Sequence, residues 1–162
     1  CIQRNHAAAA ELWEACLSLL FAADVEFGRT VAQNMAVMNS DIPTFPIANI
    51  FYKQKYFTKT LPQFISQFSG AQVSSTTKAS ILLALSGLLK GLPVGALTQT
   101  SSTVLPLLIQ ALGNKEDAQM RRDTIDTFVM IAHSNPPLVA QHLRSLIPLL
   151  LTMTASYEVC FR

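Results

Sequence analysis

Residues 102–133 decide the fold, and they read STVLPLLIQALGNKEDAQMRRDTIDTFVMIAH. Each half of this stretch carries apolar residues at i, i+3, i+4 and i+7, which is the spacing of one face of an α-helix. These residues are Leu105, Leu108, Ile109 and Leu112 in the first half, and Ile125, Phe128, Val129 and Ala132 in the second. Gly113 can end the first helix and Asn114 can cap the second, which Asn135 and Pro136 then stop. The stretch therefore predicts a helical hairpin.

The hairpin pattern recurs along the chain. A branched apolar residue followed by proline marks three of the first helices, and these pairs are Leu61-Pro62, Leu105-Pro106 and Ile147-Pro148. Their spacing of about 43 residues is the period of HEAT and armadillo solenoids. The sequence therefore predicts an all-α fold, an α-solenoid of about four HEAT-type hairpins in a single unit over residues 1–162. The repeats are expected at approximately residues 6–40, 50–91, 98–134 and 137–162, the last of them incomplete.

Composition agrees with a helical solenoid and argues against other classes. Hydrophobic residues make up 50% of the chain, which is enough for a core, and strand-and-turn patterns are nearly absent. The longest apolar runs are shorter than the roughly 18 residues that a membrane span needs, and no secretory signal is recognisable. Three cysteines without a pairing pattern indicate a reducing compartment.

The two ends of the chain lack the polar cap that closes a solenoid, so we expect a fragment of a longer array. Apolar residues at the ends would then stay uncovered. They are Leu12 and Leu19 at one end, and Val159 and Phe161 at the other. Self-association through these repeat ends is the expected consequence.

Motifs for catalysis or metal binding are not found. The histidines His6, His133 and His142 have neither an i, i+4 partner nor a cysteine at ligand spacing. There is no Cys-x-x-Cys pair, no glycine-rich phosphate loop and no Gly-x-Ser-x-Gly nucleophile motif. We therefore expect a protein that is not an enzyme and carries no cofactor and no metal. A helical enzyme domain remains the alternative from another class.

The net charge of +2 is unevenly distributed. Between Asp41 and Glu116 the chain has six lysines and no acidic residue. Aromatic residues alternate with lysines over residues 52–59, a pattern that can stack bases and neutralise phosphates. The following helix has no basic groove, however, so direct nucleic-acid binding is not expected. The basic block either recruits an acidic protein partner or is a solvated face.

Candidate binding residues follow from the architecture, because the second helix of each HEAT hairpin lines the concave surface. Their outward polar positions, together with one lysine of the basic block, are Lys53, Lys78, Ser86, Lys90, Arg122, Asp123 and Asp126. Lys53 and Lys78 are both expected to be exposed. Arg122 and Asp126 stand four residues apart, so a simple pairing on one helix is an equally good explanation for them.

One stretch is similar to a known family. Residues 51–58, FYKQKYFT, with Leu61-Pro62 and the run LSGLLKGLP at residues 85–93 resemble the C-terminal HEAT region of a large adaptor protein. That adaptor belongs to the cytosolic iron–sulfur assembly targeting complex, and its family was first named for methyl-methanesulfonate sensitivity. The resemblance covers residues 24–162.

The resemblance implies a non-catalytic scaffold in the cytoplasm and nucleus. In that family the C-terminal repeats dock a WD40-propeller subunit and a small cysteine-bearing subunit. The assembly then delivers clusters to apo-proteins, many of which act in DNA repair and replication. The alternative within the same architecture is a general HEAT or armadillo scaffold for transport or signalling. Co-purification of a WD40 partner distinguishes the two.

Overall fold

The computed structural model describes residues 7–22, 25–38, 49–90, 92–113 and 118–159, and within these segments all regular secondary structure is helical. The helices are α1 (Ala9–Leu20), α2 (Val25–Met38), α3 (Asn49–Ser69), α4 (Ser75–Lys90), α5 (Val94–Gly113), α6 (Ala118–Ser134) and α7 (Pro136–Val159). The predicted all-α solenoid is confirmed. The proposed cap at Asn114 lies outside the described residues, and the repeat boundaries stay a prediction.

The helices stack in two layers. Helices α2, α4 and α6 pack side by side in one layer, and in the other layer α5 packs on α7. Within each hairpin, α1 contacts α2, α3 contacts α4, and α5 contacts α6. Each hairpin therefore buries its apolar sides against its neighbours, as in a solenoid.

Prolines lie inside α3, α5 and α7. A proline has no N–H, so the carbonyl four residues earlier loses its helical partner. Both the prolines and the residues that carry these carbonyls are exposed, so water can satisfy the carbonyls at little cost. The pairs are Pro62 with Thr58, Pro106 with Ser102, and Pro148 with Arg144. The recurring proline thus lies on the solvent side of α3, α5 and α7.

Helix α4 is the centre of the packing. Every residue from 81 to 89 is buried, because the sequence ILLALSGLL has no polar side and a helix that is apolar all round is stable only when enclosed. Helices α1, α2, α3, α5 and α6 all contact it. Ser86 is therefore buried, and its hydroxyl donates to the carbonyl of Leu83 at 3.1 Å. The prediction that Ser86 points outward is wrong.

Small residues let α2 approach α4 closely. A Cβ atom on Gly28 would lie 3.4 Å from the carbonyl oxygen of Leu20 and 3.8 Å from Oγ of Ser80. Ala32, four residues after Gly28, and Ala84, four residues after Ser80, are also buried. Short side chains at these positions bring the two backbones together with little side-chain volume between them.

Helix α6 is turned relative to the expected register. Phe128 is buried as predicted, but Val129 is 49% exposed, so its predicted inward position is wrong. Two buried threonines take part of the inward side instead. The hydroxyl of Thr124 donates to the Met120 carbonyl at 2.6 Å, and that of Thr127 donates to the Asp123 carbonyl at 2.8 Å. Because these hydroxyls are satisfied by their own helix, they can lie in the core.

A buried hydrogen bond joins α1 to α3. The indole Nε1–H of Trp13 donates to Oγ1 of Thr60 at 2.7 Å, and both residues are buried. The Trp13 ring also lies on Tyr56, with ring centroids 5.1 Å apart. At the end of α1, the rings of Phe21 and Phe64 pack edge to face, with their centroids 6.1 Å apart. These contacts fix how the first two hairpins stack.

Replacing Thr60 with valine should lower the free energy of unfolding by about 1–3 kcal/mol, because the buried indole N–H loses its acceptor. Thr58→Val, on the exposed side of the same helix, is the control and should change stability by less than about 0.5 kcal/mol. Urea unfolding measures both. In a double-mutant cycle, Trp13→Phe should cost less in the Thr60→Val background than alone. Strict additivity of the two changes would contradict the hydrogen bond.

Candidate protein-docking surface

Helix α6 presents one continuous exposed face. Arg122, Asp126, Val129 and His133 are all exposed and follow each other at i, i+4, i+7 and i+11, so they lie in one row. We call this row the α6 face. It places a half-exposed valine among two charged side chains and an imidazole. An exposed apolar side chain with charges of both signs around it makes this row a candidate for protein docking.

The predicted binding residues of α6 separate into two groups. Arg122 and Asp126 are exposed on the α6 face. Asp123 is only 9% exposed, so its predicted outward position is wrong. One residue advances a helix by about 100°, which carries Asp123 to the side of the buried Met120 and Thr127.

Lys53 is 3% exposed, and the prediction that it is exposed is wrong. It lies on the same side of α3 as Tyr56, Phe57 and Thr60, which follow it at i+3, i+4 and i+7 and are all buried. Helical periodicity therefore places Lys53 on the packed side of α3. Its stem can contribute apolar contacts there, as long lysine side chains often do.

The other described lysines of the basic block differ in exposure and in what they contact. Lys55 is exposed, and Lys59 is exposed and forms an ion pair with Glu14 of α1. Lys78 is half-buried, with its Nζ 5.6 Å from the centroid of the Phe68 ring, a cation–π contact. The side chain of Lys90 and all of Lys115 lie outside the described residues. Lys78, which is predicted to be exposed, is thus only partly so, and the recruitment of a partner by the basic block stays a prediction.

Val129 and His133 are functional candidates that the sequence reasoning missed. The apolar spacing predicts Val129 in the core, and the sequence indicates His133 only as a possible metal ligand. Helical spacing indicates their position, because Val129 and His133 lie in the same row as Arg122 and Asp126. Once Arg122 and Asp126 are placed outward, Val129 and His133 must follow them.

The described part of the chain was also compared with the requirements of a metal site, a reactive cysteine and a membrane span. No three His, Cys, Asp or Glu side chains there come together as a metal site would require. Cys16 is a free, half-buried cysteine, and burial raises the pKa of its thiol, which makes it a weak nucleophile near neutral pH. Among the described helices, none has both the length and the apolar character for crossing a membrane.

Comparison with known proteins identifies the family. The sequence model of the family described as RNAPII transcription regulator C-terminal matches residues 1–159 of the chain. The chain belongs to this family. Since the family model carries the name MMS19, the predicted membership of the methyl-methanesulfonate-sensitivity family is confirmed.

Curated relatives carry the same name. The MMS19 nucleotide excision repair protein homolog of Xenopus tropicalis is 26% identical over 99% of this chain, and that of Mus musculus is 25% identical over 99% of it. The homolog of Dictyostelium discoideum is 29% identical over 67% of this chain and 10% of its own length. In both vertebrate relatives the chain corresponds to 16% of their length, so it spans only a small part of the MMS19 proteins.

Proposed function

We propose that the chain is part of a non-catalytic HEAT scaffold of the cytosolic iron–sulfur cluster targeting complex. In this role it docks other subunits and helps to deliver clusters to apo-proteins of DNA repair and replication. The observation that carries the proposal is the family match over residues 1–159. The names of the relatives and of the family point to nucleotide excision repair and transcription, and a scaffold that supplies clusters to DNA-processing proteins serves both processes.

The α6 face is the docking surface in this proposal. The exposed Val129 provides apolar area at the centre of the row, while Arg122 and Asp126 beside it supply charges of both signs. Affinity in protein interfaces is concentrated in a few central residues that the partner seals from water, and the charges around them set orientation. The partners are the WD40-propeller subunit and the small cysteine-bearing subunit, in the cytoplasm and the nucleus. Direct contact with nucleic acid has no part in this role.

Binding experiments test the proposal with the purified chain. The chain should retain the WD40-propeller subunit or the small cysteine-bearing subunit in a pull-down. The double change Asp126→Arg and Val129→Asp should weaken that binding at least tenfold, which corresponds to about 1.4 kcal/mol. The control is Gln110→Asp, which adds a charge at an exposed position of α5 in the other layer. It should leave the affinity unchanged.

The possible results distinguish the proposed role in the targeting complex from the proposed docking surface on α6. If the folded chain retains neither subunit, the proposed membership in the targeting complex is overturned. If it binds them and the α6 variant binds equally well, the role stands and the α6 face is not the docking surface. A general transport or signalling scaffold would retain other helical or motif-bearing proteins and no WD40-propeller subunit of the targeting complex.

A further inference from the structure

The first two hairpins, α1–α2 and α3–α4, pack on each other differently in the two layers. In one layer α2 packs along α4 more extensively than any other two described helices pack on each other. Short side chains make this contact close: Gly28 and Ala32 on α2, and Ser80 and Ala84 on α4, are all buried. We call this the α2–α4 contact. It involves little side-chain volume, so the two backbones lie directly against each other.

In the other layer, large side chains fill the space between α1 and α3. The two backbones come close at isolated positions at most. The ring of Trp13 contacts that of Tyr56 with centroids 5.1 Å apart, and the rings of Phe21 and Phe64 have centroids 6.1 Å apart. The hairpins are therefore close together at α2 and α4 and farther apart at α1 and α3, so the space between them is shaped like a wedge.

Two polar links join α1 to α3 on the wide side of this wedge, at adjacent positions of both helices. The inner link is the hydrogen bond from Nε1–H of Trp13 to Oγ1 of Thr60, 2.7 Å long and buried. The outer link is the ion pair between Glu14 and Lys59, whose side chains are both about half exposed. We call the two links together the α1–α3 clamp.

Loss of the inner link would favour separation of α1 from α3. A buried N–H without an acceptor is costly, and water is the acceptor that can replace a lost protein partner. Trp13 is only 1% exposed, so water reaches its indole only if the two helices move apart. The α2–α4 contact includes none of the clamp residues and can persist while they do. The expected motion is therefore a rotation of the first hairpin about the α2–α4 contact, as in a hinge.

We propose that the α1–α3 clamp sets the angle between the first two hairpins and that the α2–α4 contact is the pivot about which this angle changes. The curvature of a solenoid follows from the rotation between successive repeats, so the clamp fixes the curvature of the array at this point. The outer link lies in solvent and weakens as salt rises, whereas the inner link is enclosed. The inference does not depend on the proposed function.

Double electron–electron resonance between spin labels tests the proposal in the chain with its three cysteines replaced by alanine. Labels on cysteines introduced at Ser18 and Ser66 report the distance between α1 and α3. Labels on cysteines introduced at Glu26 and Ser75 report the distance between α2 and α4. All four positions are exposed, so the labels leave the core undisturbed, and circular dichroism checks that every variant stays helical.

Two pairs of matched variants act on the clamp. Thr60→Val removes the inner acceptor, and Thr60→Ser keeps a hydroxyl there. Lys59→Glu turns the attraction to Glu14 into repulsion, and Lys55→Glu makes the same change at an exposed position outside the clamp. Thr60→Val and Lys59→Glu should each lengthen the α1–α3 distance by several ångströms and leave the α2–α4 distance unchanged. Thr60→Ser and Lys55→Glu should change neither distance.

The fluorescence of Trp13 provides a second readout without labels, because it is the only tryptophan of the chain. Acrylamide should quench it weakly in the original chain, where the indole is buried. Quenching should rise severalfold in Thr60→Val and in Lys59→Glu, because both changes admit solvent between α1 and α3. The two control variants should be quenched like the original chain.

Three results would overturn the proposal. If Thr60→Val loses stability but keeps the original α1–α3 distance, the hydrogen bond only stabilises the fold. If the α2–α4 distance lengthens equally, the hairpins separate as a whole and there is no pivot. If Lys55→Glu lengthens the α1–α3 distance as much as Lys59→Glu, the response is to charge on α3 in general and not to the clamp. Because Lys59 is exposed, its variant decides the question even if Thr60→Val fails to fold, and an unchanged α1–α3 distance in it would contradict the clamp.

Discussion

Replacing Phe128 with alanine is expected to lower the free energy of unfolding by about 3–5 kcal/mol, the usual cost of emptying a buried phenylalanine site. Phe128 is 8% exposed and lies on α6 beside the buried Thr124, Thr127 and Ile131. Helix α6 contacts α4, α5 and α7, so the cavity could not close unless one of these helices moved. Urea unfolding followed by circular dichroism measures the loss.

The next residue provides a matched control. Val129 is 49% exposed, and Val129→Ala should change stability by no more than about 0.5 kcal/mol, as is usual for surface substitutions. The two variants differ by one position and so by about 100° around the helix. Similar losses for both would show that α6 is oriented as its apolar spacing alone suggested, with Phe128 and Val129 both inward.

The comparison of these two residues shows where hydropathy fails as a guide. The apolar spacing selected Ile125, Phe128, Val129 and Ala132 for the core. The structure instead buries Thr124 and Thr127, whose hydroxyls donate to carbonyls of their own helix. A threonine satisfied in this way presents its methyl group to the core at little cost. Hydropathy counts such a residue as polar, so the predicted register was displaced.

Other features of the fold could be predicted because they are local. The prolines at 62, 106 and 148 recur at the repeat period, and each lies inside the first helix of a hairpin, on the solvent side. Spacing alone also predicts the inward row of α3, of which Phe57, Leu61 and Phe64 are buried and Phe68 is half-buried. Such signals need only the order of residues along one helix.

The surface was harder to predict because exposure depends on what packs on each helix. Arg122 and Asp126 are exposed as expected, but Ser86 was placed outward from the general geometry of a HEAT hairpin. The sequence around Ser86 contains no polar row, and that fact alone indicates an enclosed helix. The number of helices that enclose α4, in contrast, is set by contacts between distant segments, which spacing within one helix does not report.

For a substitution of Lys53, the sequence and the structure predict opposite effects on stability. The sequence predicts that Lys53 is exposed, and reversing the charge of an exposed lysine leaves folding intact. In the structure Lys53 is 3% exposed, so reversing its charge buries a carboxylate where an ammonium group was accommodated. A buried charge that loses its compensation typically costs about 3–5 kcal/mol. We therefore expect Lys53→Glu to lower the free energy of unfolding by about that amount.

Two further variants make this prediction specific. Lys55→Glu makes the same chemical change two residues later at an exposed position, and it should cost less than about 0.5 kcal/mol. Lys53→Met keeps most of the stem without the charge and should be less harmful than Lys53→Glu, because the apolar contacts survive. Thermal and urea unfolding rank the three variants. If Lys53→Glu and Lys55→Glu were equally mild, Lys53 would be a surface residue, and the packed side of α3 would have to begin after it, at Tyr56.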